Sequence, residues 1–155
     1  MILPFDVAPP AAWFAVAALL FTAVYDARTG LVPPVPLALA ALALMMSLID
    51  GGATRAASAP FCALLIYIGV WAVNELHYHF MGHDALGLGD AHWSLVAALA
   101  YGPIPVLIAW GIGAWLALGW LGLRRTLGRP VTHVYFVPFI LIGLLVALTA
   151  TPLLA

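Results

Sequence analysis

Six acidic side chains are scattered through 155 residues in which only 7% are charged: Asp6, Asp26, Asp50, Glu75, Asp84 and Asp90. Two of them stand where chemistry can be built. Asp26 directly follows an apolar run that ends at Tyr25, and Asp90 directly precedes another, behind Gly87-Leu88-Gly89. Two helices packed as neighbours lie roughly 8–10 Å apart axis to axis, so aspartates on their facing sides can meet through one water. Close carboxylates do not both ionise easily and share a proton. The ionised member can then take a proton from water while the protonated one donates to a scissile carbonyl. That is aspartyl proteolysis without a covalent intermediate, and the pair titrates as a unit in two coupled steps. The plainer reading is a pair of solvated helix ends, and at a helix N-terminus Asp90 would also serve as a cap.

The elements that must carry these acids are membrane helices. Hydrophobic residues make up 66% of the chain, against roughly 45–50% for a soluble domain. Mean hydropathy is +1.14. Net charge is -1, with five arginines and no lysine; this excludes a basic nucleic-acid surface, and no nucleic-acid partner is expected. The single Cys62 excludes an internal disulfide framework. The N-terminal MILPFDVAPP lacks a basic n-region, so no removable signal peptide is expected. With roughly 20 residues per span, the expectation is all-α: one bundle of about six transmembrane helices forming a single domain over 1–155.

The apolar runs place the spans at about Pro9–Tyr25, Val32–Ile49, Ala59–Val73, Ala91–Tyr101, Ile104–Leu123 and Val131–Leu154. A polar loop is expected from Asn74 to Asp90. The fourth run is too short to cross alone, and either starts deep in the membrane or continues through Gly102-Pro103 as a kinked helix. Under six spans the 1–2, 3–4 and 5–6 loops share one side and hold Arg28, Arg124, Arg125 and Arg129; the other side has Arg55 alone. Basic residues accumulate on the cytoplasmic side. Both Asp26 and Asp90 are therefore expected at the cytoplasmic end.

Three segments resemble the type IV prepilin peptidases, membrane aspartyl proteases of the GxGD type. Tyr25-Asp26-Ala27-Arg28-Thr29-Gly30-Leu31-Val32-Pro33-Pro34 is similar to that family's Asp, Arg two residues on, and aliphatic-Pro pair before the second helix. Gly87-Leu88-Gly89-Asp90-Ala91-His92-Trp93-Ser94-Leu95 resembles GxGD leading into an apolar helix. Tyr135-Phe136-Val137-Pro138-Phe139-Ile140 resembles the proline-containing start of the last helix. The resemblance runs in order from Asp26 to the last span. It implies Asp26 and Asp90 as catalytic, supported by Arg28, Pro33, Gly87, Gly89 and Pro138. It also implies cleavage of prepilin or pseudopilin leaders at the cytoplasmic face of the inner membrane, with no cofactor. The chain departs from the family at His92, where Lys is usual, and at Pro34, where Asn or Asp often stands. It lacks the tetracysteine zinc loop of the large bifunctional members. It therefore looks like a short, peptidase-only form without methyltransferase activity. Signal peptide peptidase and presenilin share the Tyr-Asp and GxGD pairing but are far longer.

His77, His79, His83, Asp84 and His92 crowd the expected polar loop. Neutral imidazoles with an Asp can bind zinc, in which case the aspartates become bystanders to metal-assisted hydrolysis. The alternative is a polar interfacial loop; His77 and His79 diverge on a helix, no HExxH occurs, and no metal is expected. Trp13, Trp71 and Trp93 fit interface anchors near span ends. Met45 and Met46 fit lipid-facing or gap-filling roles, and Cys62 fits packing. The arginines after span 5 are topology determinants, with anionic lipid as a second reading. Two rivals to proteolysis stand: a small proton-coupled transporter using the same carboxylates, and a catalytically silent membrane subunit of a pilus or secretion machine. The rim position of the aspartates argues against the transporter, whose sites lie near the midplane.

Overall fold

A computed structural model describes residues 8–50, 53–82, 86–129 and 134–150, with the backbone alone at 53–57. Every regular element among the described residues is an α-helix. They are α1 (Pro9–Thr29), α2 (Pro34–Asp50), α3 (Ala53–Met81), α4 (Leu88–Tyr101), α5 (Pro103–Thr126) and α6 (Val137–Ala150). Three are long and apolar enough to cross a membrane: Pro9–Thr29, Ser58–Met81 and Pro103–Thr126. The others are shorter, and α2 and α6 are continuously apolar. The outward faces carry large apolar side chains, among them Trp13, Phe21, Phe61 and Trp115. In water such a surface would be an association liability; in lipid it is the solvent-facing side.

Local chemistry explains the boundaries. Prolines open α1 and α5, where a missing N–H costs nothing. Gly30 closes α1 in the left-handed region, at φ +69°. Gly102, at φ 84° and ψ 169°, separates α4 from α5. The fourth apolar run therefore does not continue as a kinked helix; it ends, and Pro103 starts a new one.

The bundle is organised around the shortest internal piece. α4 has 14 residues, about 21 Å at 1.5 Å per residue, well short of the roughly 30 Å hydrocarbon thickness. It packs against α1, α2, α3 and α5. Trp93, Ser94 and Val96 through Tyr101 are all buried, so α4 is enclosed almost all round, the pattern of a core helix. Trp93 is thus not an interface anchor. Its side chain is fully buried, and its indole N–H donates to the Leu19 carbonyl of α1 at 3.2 Å. Trp13 and Trp71, by contrast, are exposed. α5 and α6 form the most extensive helix pair, joined where Gly113 meets the Ile140 backbone and Gly143 meets Ala109. Small residues at such crossings let backbones approach closely.

The expected polar loop is largely helical. α3 runs to Met81 and carries Asn74, Glu75, His77 and His79 beyond its apolar stretch. The eight residues from Asn74 to Met81 add about 12 Å, as a helix can when it leaves the hydrocarbon for the polar interface. Of the sixth apolar run, expected from Val131, residues 134–136 are not helical and α6 begins at Val137.

Candidate active site

Asp26 occupies the last turn of α1. Its backbone carbonyl accepts the Gly30 N–H at 2.8 Å, closing the helix. Its side chain is buried, and the carboxylate faces the N–H of Val137, the first residue of α6. The first N–H groups of a helix have no partner within it, and a carboxylate is the favoured one. Phe136 supplies the carbonyl that begins α6, accepting from Ile140 at 3.1 Å. The N-terminus of the last helix is thereby seated on the C-terminus of the first.

Asp90 is the third residue of α4, also buried. Its Oδ2 accepts the Gly87 N–H at 2.8 Å, and its own N–H donates to the Gly87 carbonyl at 3.0 Å. Asp90 lies in the first turn of α4, outside the three spanning helices. Burial, opposed by the Gly87 N–H and reinforced by the nearby Asp26 charge, pushes its carboxyl up from 3.8 to about 6.

The two acids line one cavity of about 320 Å³. Its wall is made from three stretches of chain: Asp26 with Gly30 to Val32, Gly87 to Asp90, and Val134 to Phe136. The three segments singled out in the sequence thus converge on one space. Asp90 accepts the Gly87 N–H, Asp26 faces the Val137 N–H, and the two charges lie near enough for Asp26 to raise the Asp90 carboxyl.

Glycine is needed at two points of this wall. A Cβ at Gly89 would lie 2.5 Å from the Val32 Cβ, so the GxGD turn rests directly on the segment that follows α1. At Gly30 the left-handed backbone disfavours any side chain, and a Cβ would run into the Tyr135 ring.

The other expected residues fall around this centre. Arg28 is exposed in the last turn of α1 and does not line the cavity, where its charge complements the helix C-terminus. Pro33 is half-buried just before α2, and Pro138 is the second residue of α6, beside Val137. His92 sits one turn into α4, its Nδ1 2.8 Å from the Leu88 carbonyl and its ring edge-on to Tyr67. His77 and His79 ride on α3, away from the cavity lining. Among the described residues no three His, Cys, Asp or Glu gather as a metal site; His83 and Asp84 lie outside the described residues.

Several supports carried no signal in the sequence. Asn74 on α3 accepts the Leu86 N–H at 2.9 Å and so tethers the turn that presents Gly87. Ser94, fully buried, donates to the Asp90 carbonyl at 2.7 Å and accepts the Trp110 indole N–H at 2.9 Å. Serine and tryptophan are ordinary in membrane helices, and only the packing makes these two distinctive. The chain matches no family model, no curated protein and no solved structure in comparison with known proteins.

Proposed function

We propose that this chain is a membrane-boundary aspartyl endopeptidase that removes leader peptides from type IV prepilin-like proteins. The supporting observation is the shared cavity: Asp26 and Asp90, both buried, line it where the three peptidase-like segments converge. Asp90, its carboxyl pushed up to about 6, is the acid and in its protonated form donates to the scissile carbonyl oxygen. Asp26 draws a proton from the attacking water. The water oxygen bonds to the carbonyl carbon to give a tetrahedral diol; Asp26 passes its proton to the leaving nitrogen as the C–N bond breaks, and Asp90 regains a proton from a diol hydroxyl as the new carboxyl forms. The substrate segment enters extended, because a helix hides its carbonyls. The work site is the cytoplasmic face of the inner membrane, and the substrate's hydrophobic helix docks beside the bundle in the lipid.

The test is co-expression with a candidate prepilin, comparing wild type, Asp26→Asn and Asp90→Asn by the gel shift of the substrate. Asn keeps size and polarity but cannot ionise. Loss of cleavage in both variants, each still folded in the membrane, supports the dyad. Near wild-type cleavage by either variant rejects it. Aspartate-dependent proton uptake by reconstituted vesicles, without cleavage, would favour the transporter instead.

A further inference from the structure

We infer that Trp110 is a positioning residue that sets the separation of the Asp26 and Asp90 carboxylates, an inference that rests on the aspartyl peptidase reading. Trp110 lies on α5, a helix that contributes nothing to the cavity wall. It nevertheless reaches both halves of the site. Its indole N–H donates to Ser94 Oγ at 2.9 Å, and the same hydroxyl donates to the Asp90 carbonyl at 2.7 Å. Its ring meets Phe136 edge-on, with centroids 5.0 Å apart and planes at 64°. Phe136 immediately precedes Val137, whose N–H faces the Asp26 carboxylate.

One side chain therefore braces α4 directly beneath Asp90 and α6 directly beside the partner of Asp26. The two contacts differ in kind. The hydrogen bond to Ser94 has a narrow optimum in distance and angle, and sits in a buried setting where a missed bond is costly. The aromatic pair is apolar and keeps its geometry through ring shape. Together they fix how far the α4 N-terminus stands from the α6 N-terminus. A carboxyl dyad depends steeply on that distance, because displacement by about 1 Å can cost on the order of 100-fold in rate.

The test separates the two contacts. Trp110→Phe keeps a ring against Phe136 and removes the N–H; Ser94→Ala removes the hydroxyl that links it to Asp90. Each should lower kcat roughly 10- to 100-fold with KM nearly unchanged, and the double variant should be no worse than either alone, since both break one link. A second readout does not require cleavage. In a Cys62→Ser chain carrying Leu88→Cys and Val134→Cys, on the α4 and α6 sides of the cavity with both carboxylates in place, oxidative cross-linking between the two cysteines reports the separation of the two helix starts. It should slow several-fold on adding Trp110→Phe or Trp110→Leu. An unchanged cross-linking rate, additive losses, or a rise in KM at constant kcat would each overturn the inference. If the parent chain cuts no prepilin, the peptidase reading fails by itself, and the cross-linking rate still decides whether Trp110 sets the spacing.

Discussion

The first backbone N–H of α6, at Val137, faces the Asp26 carboxylate near the end of α1. This joins the first and last helices of the bundle through a group that the proposed reaction also uses. The two duties can be separated by substitution. Asp26→Asn keeps an oxygen that can accept the Val137 N–H, so the bundle should stay folded while cleavage falls to background. Asp26→Leu leaves that N–H buried and unpaired, at a cost of about 1–3 kcal/mol. The expected result is two inactive variants, with the leucine form alone melting clearly lower in detergent. Equal melting of both variants would show that the Val137 bond contributes nothing to the fold.

The Asp90 carboxyl, raised to about 6 by burial, gives pH a definite direction. The proposed acid must be protonated, so kcat/KM for a leader peptide should fall as pH rises through about 6. Stability moves the same way. The folded chain binds this proton more tightly than the unfolded one, so stability declines as pH rises from 3.8 to about 6 and is level above. Asp90→Asn removes the ionisation and keeps an acceptor for the Gly87 N–H. Its melting temperature should therefore lose less across that interval than that of the wild type. Parallel melting curves for the two chains would reject the assignment.

Much of this arrangement was legible in the sequence, for identifiable reasons. Apolar runs place the helices because that signal acts locally, but not their ends: α1 runs past the expected Tyr25 to Thr29 and carries Asp26 within it. The end of α3 was not legible: Asn74, Glu75, His77 and His79 are polar enough to read as loop, yet a helix satisfies its own backbone in a polar interface as well as in lipid. Trp93 misled for a related reason. Its indole has an N–H that suits a membrane interface, but in the core the Leu19 carbonyl satisfies it equally. The acids were visible because a carboxylate is rare in such a composition. Their supports, Ser94 and Trp110, are common residue types whose roles arise only from which helices meet.

Orientation has a direct check. With Asp26 and Asp90 on the cytoplasmic side, the C-terminal end of α5, which carries Arg124 and Arg125, lies there as well. The N-terminal end of α1 lies opposite. In a Cys62→Ser chain, Leu127→Cys should react with an impermeant thiol reagent only in inside-out vesicles, and Ala8→Cys only in intact spheroplasts. The reverse pattern would put the cavity on the far side of the membrane, where the uncleaved leader of a cytoplasmic precursor is not presented.

The contact between Gly89 and Val32 yields the sharpest local test. A Cβ on Gly89 would sit 2.5 Å from the Val32 Cβ and 2.7 Å from its Cγ2. Gly89→Ala must therefore push the GxGD turn away from the segment after α1, moving Asp90 relative to Asp26. Overpacking of this kind typically costs about 1–3 kcal/mol, and the misplacement should lower cleavage by roughly 100-fold. The nearest atom is the Val32 Cβ itself, which decides what can compensate. Val32→Ala retains that carbon and should not restore Gly89→Ala, whereas Val32→Gly removes it and should recover part of the cleavage. Restoration by alanine as readily as by glycine would mean that the branched methyls, rather than backbone proximity, limit the approach of the two segments.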